Sequence, residues 1–212
     1  DEAHCISQWG QDFRPSYLAI PDFLRRLPRR PPVGAYTATA TPRVSQDILE
    51  ILSLERPCVV KTGFDRPNLH YAVERPKDKL AALLHLVRRH GEESGIVYCA
   101  TRKNVEEVTE FLLGQGVSAT RYHAGLSAEE RRANQEAFTY DRCRVVVATS
   151  AFGMGIDKSN VRFVIHYNMP PDVESYYQEA GRAGRDGDRA ECVLLYGRGD
   201  AAIQRFLIDR VE

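Results

Sequence analysis

Three observations predict an α/β protein built on a parallel sheet with helices on both faces. Short runs of β-branched and apolar residues recur along the chain between turn residues, the pattern of strands buried on both sides. Segments with apolar residues at helical spacing lie between them. The two kinds alternate, and a strand–helix–strand order calls for right-handed crossovers that lay helices on either face. The 212 residues are 43% hydrophobic and 27% charged, enough to fill the core of one or two such domains.

Taken in chain order, the expected strands are Val33 to Thr41, Gly95 to Ala100, Arg144 to Thr149, Val161 to His166 and Ala190 to Tyr196. Val44, Ile48, Ile51 and Leu52 mark a first helix, and Leu80, Leu83, Leu84 and Val87 a second. Val105, Val108 and Leu112 mark a third, and Ser127-x-x-Glu130 reads as the capping box that opens a fourth. A further helix is expected from about Asp172. Sheets of this kind bind ligands at the carboxyl ends of their strands, so the loops there are the first places to look for a site. A boundary is expected near Pro57 to Pro67. Residues 1–56 read as the carboxyl-terminal remainder of one domain, 57–67 as a linker and 68–212 as a complete second domain. The cluster Arg25, Arg26, Arg29 and Arg30, flanked by prolines, reads as a solvated helix end.

Lys and Arg number 29, as do Asp and Glu, for a net charge of zero. That balance excludes a polybasic tail or a uniformly cationic nucleic-acid binder and leaves room for a local basic groove. No apolar run approaches the roughly 18 residues of a membrane span, and no secretory signal opens the chain. A soluble intracellular protein without membrane partners is expected. Cys5, Cys58, Cys99, Cys143 and Cys192 are at least 41 positions apart. With no C-x-x-C pair, neither zinc nor a disulfide framework is supported, and isolated thiols are expected. The chain opens on Asp1-Glu2 with no apolar strand before the acidic pair, so a piece of a longer protein is expected.

Four segments carry residue types suited to chemistry. Asp1-Glu2 offers one carboxylate for Mg²⁺ and one to orient an attacking water. Gln178-Glu-Ala-Gly-Arg182-Ala-Gly-Arg185 offers two guanidiniums, with glycines that allow close approach. A permanently charged planar cation stabilises the charge that spreads over a transferring phosphoryl group. Such an arginine accelerates the reaction roughly 10³–10⁵-fold, about 4–7 kcal/mol of barrier. The alternative is a helix ended by Gly181 with solvated arginines. Val145 to Asp157 runs from a buried strand into Thr149-Ser150 and then Gly153-Met-Gly155. Hydroxyls and amides of such a turn suit phosphate oxygens, and Asp157 could meet a ribose or an arginine; an ordinary connecting loop is the alternative. Finally, Trp9, Phe13, Arg14 and Tyr17 lie in a non-periodic stretch. Aromatics there suit base stacking at about 1–3 kcal/mol per base, or else tuck into the core.

Together these segments resemble the RecQ family of DNA helicases, within helicase superfamily two. Asp1-Glu2-Ala3-His4 is similar to the family's motif II and runs into its aromatic-rich loop. Thr37-Ala-Thr-Ala-Thr41 resembles motif III. Phe64-Asp-Arg-Pro-Asn68, Tyr98-Cys-Ala-Thr-Arg102 and Tyr122-His-Ala-Gly-Leu126 resemble motifs of the second lobe. Phe152-Gly-Met-Gly-Ile-Asp157 with Asn160-Val-Arg162 resembles motif V, and Ser175 to Gly187 motif VI. The resemblance covers nearly the whole chain, in order.

It implies a motor of two RecA-like lobes with ATP between them, unwinding DNA with 3′ to 5′ polarity, in the service of repair, recombination or replication. This chain would supply the tail of lobe one and all of lobe two, and its partners would be single-stranded and duplex DNA and the rest of lobe one. The resemblance assigns Mg²⁺ to Asp1, the attacking water to Glu2 and the finger to Arg185. Arg182, Gln178, Asp157 and Gly155 would serve the nucleotide. Trp9, Phe13 and Arg14 would couple single-stranded DNA to ATP turnover, and Thr101, Arg102, His123 and Thr149 would track the DNA backbone. It also implies a cytoplasmic place, nucleoid-associated in a bacterium, or a nuclear one in a eukaryote. Gln11 stands where the family usually has His, and Ser159 where Pro is common. The phosphate loop G-x-x-x-x-G-K-[ST] and the family's four-cysteine zinc module are absent from the sequence, so this chain alone is expected not to hydrolyse ATP. The rivals are a superfamily-two helicase acting on RNA and a non-enzymatic lobe that binds single strands or regulates a partner.

Overall fold

The computed structural model describes residues 1–10, 13–38, 40–61, 65–153, 156–197 and 199–200 and divides into residues 1–64 and 65–212. The first unit opens with 3-10 turns at Ala3–Ile6 and Pro15–Leu18, followed by helices α1 (Ala19–Arg26) and α2 (Pro42–Ile51). The side chain of Thr41 accepts a hydrogen bond from the Val44 amide at 3.3 Å, and Pro42 occupies the first turn, where its missing N–H has no partner to lose. Val44, Ile48 and Leu52 then fall on one face and bury against Ala3, Ile6 and Leu24. Helix α1 ends at Arg25 and Arg26, the solvated helix end expected at the arginine cluster, with Arg29 and Arg30 beyond it. Ile20, Phe23, Leu24 and Leu27 recur at i, i+3, i+4 and i+7, an apolar stripe of which Leu24 is buried while Ile20 and Phe23 stay exposed. Its last turn holds exposed Arg25 and Arg26, and Arg25 pairs with Asp22.

The expected strand from Val33 to Thr41 is not formed among the described residues. A strand needs a ladder, whereas here the Tyr36 carbonyl accepts from the Ala3 amide at 2.9 Å and the Thr41 carbonyl accepts from the Ser45 amide of α2 at 2.9 Å. Thr39 lies outside the described residues.

The second unit holds six parallel strands: β1 (Leu69–Glu74), β2 (Ser94–Tyr98), β3 (Ala119–Tyr122), β4 (Val145–Ala148), β5 (Val161–His166) and β6 (Ala190–Leu195). They lie in the order β1-β6-β5-β2-β4-β3. The crossovers carry α3 (Lys79–Arg89), α4 (Arg102–Gly114), α5 (Ala128–Thr139) and α6 (Val173–Ala180). Alternate residues of each strand point to opposite faces, and the core divides accordingly. Val97, Val145, Val147, Phe163 and Ile165 pack with Leu83, Leu86 and Val87 of α3 and Val105, Val108 and Leu112 of α4. Ile96, Val146, Ala148, Val164 and Cys192 face the other way, toward Phe138 of α5 and Ala180 of α6. The parallel sheet covered on both sides is the α/β arrangement that the alternation of strands and helices predicts, and it fits the RecA-like lobe that the resemblance implies.

Four of the five expected strands form within a residue or two of their expected limits. The two missed ones, β1 and β3, are the sheet's edges. Their residues are mostly half-buried or exposed, so they lack the continuous apolar run of a central strand. The capping box is present: Ser127 and Glu130 each bond the other's backbone amide, at 3.1 and 3.2 Å. The helix expected from Asp172 begins there, with the Asp172 carboxylate accepting from the Ser175 amide. All five cysteines are free thiols, Cys58 exposed and the others buried. Among the described residues no helix is long and apolar enough to cross a membrane.

Candidate functional site

The candidate residues of the second unit fall into two groups. The first follows the carboxyl ends of β2, β4 and β3, which are neighbours in the sheet with Tyr98, Ala148 and Tyr122 in register. Thr101 caps α4, its hydroxyl accepting from the Asn104 amide at 3.1 Å and donating to the Asn104 carbonyl oxygen of the side chain at 2.7 Å. Arg102 opens the same helix with its side chain exposed. Thr149 continues β4, its amide bonding the Tyr122 carbonyl at 3.2 Å.

His123 sits differently from its companions. Its ring is buried, Nδ1 accepts from the Gly125 amide at 3.1 Å, and Nε2 donates to Glu106 at 2.6 Å. The Gly125 bond fixes this tautomer. Burial works against the Glu106 charge, but His123 and Arg121 hold its carboxyl below the ordinary range. His123 therefore shapes the turn over 123–126 from within, and no ring nitrogen is left to meet a ligand.

The second group lies beyond α6, near the amino end of β5, where the Gly184 amide bonds the Val161 carbonyl at 2.9 Å. The rule that ligands sit at carboxyl ends thus locates the first group and misses the arginines. Arg182 donates to the Gly153 carbonyl at 2.6 Å and Arg185 to the Ile156 carbonyl at 3.0 Å. A Cβ on Gly153 would lie 2.1 Å from Arg182 Nη2, so glycine is needed for this approach. Tyr98, at the end of β2, reaches the same loop and donates to the Phe152 carbonyl at 2.9 Å. Burial, together with the neighbouring Arg182 and Arg66 cations, draws the Arg185 pKa down, while Asp157 opposes them; the guanidinium stays charged. Gln178 is half-buried on α6 and Asp157 is exposed. Gly155 and Met154 lie outside the described residues.

In the first unit Asp1 is exposed and accepts from the Glu2 amide at 3.0 Å. Glu2 adopts a left-handed backbone, φ 51°, and its carboxylate lies 3.4 Å from His4 Nδ1. His4 is also 2.7 Å from the Thr37 hydroxyl, tying the acidic pair to the threonine segment. Trp9 is 61% exposed, with the Arg43 guanidinium over its ring at 3.6 Å. Phe13 and Arg14 are half-buried, and the Arg14 amide bonds the Cys5 carbonyl at 2.9 Å. Gln11 lies outside the described residues. An exposed carboxylate such as Asp1 suits Mg²⁺, which takes one or two carboxylates and fills its sphere with water and phosphate oxygens. Among the described residues no group of three or more His, Cys, Asp or Glu is placed to share a metal ion.

Sequence reasoning overlooked a buried polar cluster behind the first group. Lys79 bonds Asp200 at 2.7 Å and the Tyr167 carbonyl at 2.8 Å. Asn168 donates to Asp200 at 3.1 Å and accepts from the Ala100 amide at 3.1 Å. The turn that carries Thr101 is thereby tied to the segments after β5 and β6. A buried Asp with a Lys partner leaves no periodic trace in a sequence, so no signal pointed to it.

A single parallel sheet with basic and hydroxyl side chains on its loops and a paired-arginine turn defines a helicase-type lobe. Residues 78–187 match the helicase conserved C-terminal domain, and the chain belongs to this family, as a member of its RecQ branch. It is 52% identical over its full length to an ATP-dependent DNA helicase RecQ of Bacillus subtilis, covering 36% of that protein. It is 45% identical over 98% of its length to the RecQ-like DNA helicase BLM of Xenopus laevis, covering 16% of that protein. The chain spans about a third of the length of the bacterial relatives it matches. In fold it resembles the Saccharomyces cerevisiae Dbp5 structure bound to RNA and ADP BeF3. The TM-score is 0.76 at 21% identity, over 99% of this chain and 55% of that one.

Proposed function

We propose that this chain works within a longer ATP-dependent DNA helicase of RecQ type, which couples ATP hydrolysis to 3′ to 5′ movement on single-stranded DNA and to unwinding of the duplex. One observation carries the reading. The loop after β4 begins at Thr149, whose amide bonds the Tyr122 carbonyl at the end of β3, and further on its Gly153 and Ile156 carbonyls accept from Arg182 and Arg185. A single loop thus touches the group suited to a nucleic-acid backbone and the group suited to a triphosphate.

In this reading Arg185 places its charge on the γ-phosphate, and Arg182 and Gln178 support the nucleotide side with Asp157 and Gly155. Glu2 orients the attacking water. Asp1 would hold Mg²⁺, which when bound neutralises phosphate charge. Thr101, Arg102 and Thr149 contact phosphates and fix position rather than sequence; His123 holds their turn in shape. Trp9, with Phe13 and Arg14, offers a stacking face to a base. The sequence holds no phosphate loop, so the chain depends on residues of the longer protein for hydrolysis.

The test is DNA-stimulated ATPase in the full-length protein that carries this sequence. Single-stranded DNA should stimulate hydrolysis well above single-stranded RNA, and Arg185→Ala should lower the stimulated rate by roughly 10³-fold or more with DNA affinity within a few-fold. Equal stimulation by RNA would move the protein to another class of superfamily-two motor. Strand binding without any hydrolysis would leave a non-enzymatic lobe. An unchanged rate in Arg185→Ala would remove the finger assignment.

A further inference from the structure

Two side chains at the entrance to the second unit do more than begin a strand. Arg66 donates from Nη2 to the Ala183 carbonyl at 3.0 Å and the Gly184 carbonyl at 2.9 Å, and from Nη1 to the Gly181 carbonyl at 3.4 Å. Asn68 donates from Nδ2 to the Gly184 and Asp188 carbonyls, both at 2.8 Å. The carbonyls bonded by Arg66 flank Arg182 on both sides, that of Gly184 immediately precedes Arg185, and that of Asp188 follows it. They lie past the end of α6, where no helical or strand ladder supplies donors.

We infer that Arg66 and Asn68 are positioning residues for the phosphate-directed arginines: they clamp the backbone from which Arg182 and Arg185 project. The inference rests on the ATP-hydrolysing role proposed above. Gly184 supports it from the other side of the contact. Its φ is +54°, and a Cβ there would lie 2.5 Å from Asn68 Nδ2 and 2.7 Å from the Asp188 carbonyl. The glycine is therefore what allows the clamp to close. Arg66 also contributes to the like-charge field that draws the Arg185 pKa down, so its guanidinium lies within electrostatic reach of the finger it holds in place. A planar fork of fixed N–H groups can serve three carbonyls that converge from one side. A lysine ammonium on a flexible stem cannot hold that geometry. Neither Arg66 nor Asn68 needs to touch the nucleotide, because misplacing a catalytic group by about 1 Å is enough to cost about 10²-fold in rate.

The experiment compares Arg66→Lys and Asn68→Ala with the parent in the full-length protein. It reads kcat and KM for DNA-stimulated ATP hydrolysis, and amide hydrogen exchange across residues 178–195. Positioning predicts that kcat falls by about tenfold or more in Arg66→Lys, with KM for ATP within about threefold. The amides of Ala183, Gly184 and Gly187 should exchange at least about tenfold faster, while those of β5 and β6 keep their protection. Full kcat in Arg66→Lys overturns the inference, and so does a lowered kcat with unchanged exchange at 183–187. If Arg66→Lys loosens β5 and β6 as well, Asn68→Ala decides; the same global loosening there makes the clamp a fold support and overturns the role. If the parent protein shows no ATP hydrolysis, the proposed function fails. The exchange measurement then still decides whether these two side chains hold the arginine loop.

Discussion

Gly153→Ala is a change of one methyl group that should separate catalysis from folding. The added Cβ would sit 2.1 Å from Arg182 Nη2 and 2.5 Å from its Cζ. Ordinary contact begins near 3.4 Å, so the guanidinium must retreat by about 1.3 Å, the difference between 2.1 and 3.4 Å. Its 2.6 Å bond to the Gly153 carbonyl is lost in the process. A hydrogen bond from a charged donor contributes about 1.5–3 kcal/mol, and Arg182 is half-buried, so water replaces part of it. A net loss of about 1 kcal/mol lowers the melting temperature by about 2–4 °C in a domain of this size. Displacement on that scale costs about 10²-fold in rate. The assay is DNA-stimulated ATPase beside thermal melting, with Gly153→Ala made alone and in an Arg182→Ala background. The glycine acts through the arginine, so the second change should add little once the first is present. Full additivity in that cycle, or a melting temperature lowered by more than about 10 °C, would refute the reasoning.

Two further outcomes follow from the same geometry. Trp9→Ala removes an exposed ring whose stacked Arg43 cation contributes about 0.5–1 kcal/mol at such a site, so stability should hardly change. The stimulation of ATPase by DNA should fall more than basal turnover does; equal loss of both would make the loop a structural one. Glu106→Gln tests the buried His123 contact through pH. The folded-state pKa of Glu106 lies below its ordinary 4.5, so its stabilising effect is complete above that value and fades as pH falls through the folded pKa. The melting difference between parent and variant should be largest at pH 6–7 and shrink below about 4.5. A difference constant from pH 7 to 3 would mean that the carboxylate charge contributes nothing.

The parts of the fold legible from sequence are those whose burial is continuous. Val145, Val146, Val147 and Ala148 are all fully buried, so β4 announces itself as an unbroken apolar run. At the sheet edge the same reasoning fails: β3 is Ala-Thr-Arg-Tyr, half-buried at every position, and its strand character comes from its pairing with β4. Val33 to Thr41 is the converse case, with the composition of a strand and no ladder among the described residues. Strand pairing is a tertiary event that local composition records only when both faces are covered.

The site divides along similar lines. Residues proposed to act through their own side chain in a contiguous motif, such as Arg182, Arg185, Thr101 and Trp9, can be named from the sequence alone. Those that act by holding another segment's backbone cannot, because neither partner looks unusual. Arg66 and the carbonyls of Gly181, Ala183 and Gly184 are separated by 115 to 118 residues, and carbonyls carry no identity. His123 lies between the two cases. Its motif marks it for the nucleic-acid group, yet both ring nitrogens are spent inward, on Glu106 and the Gly125 amide. Arg102 is exposed in that neighbourhood and its stem packs against Gly125; a Cβ there would lie 3.2 Å from Arg102 Cδ and 3.0 Å from His123 Nδ1. The histidine and the glycine thus set the turn over which the arginine lies. A motif position can be specified as strictly for the shape it gives its neighbours as for a contact of its own.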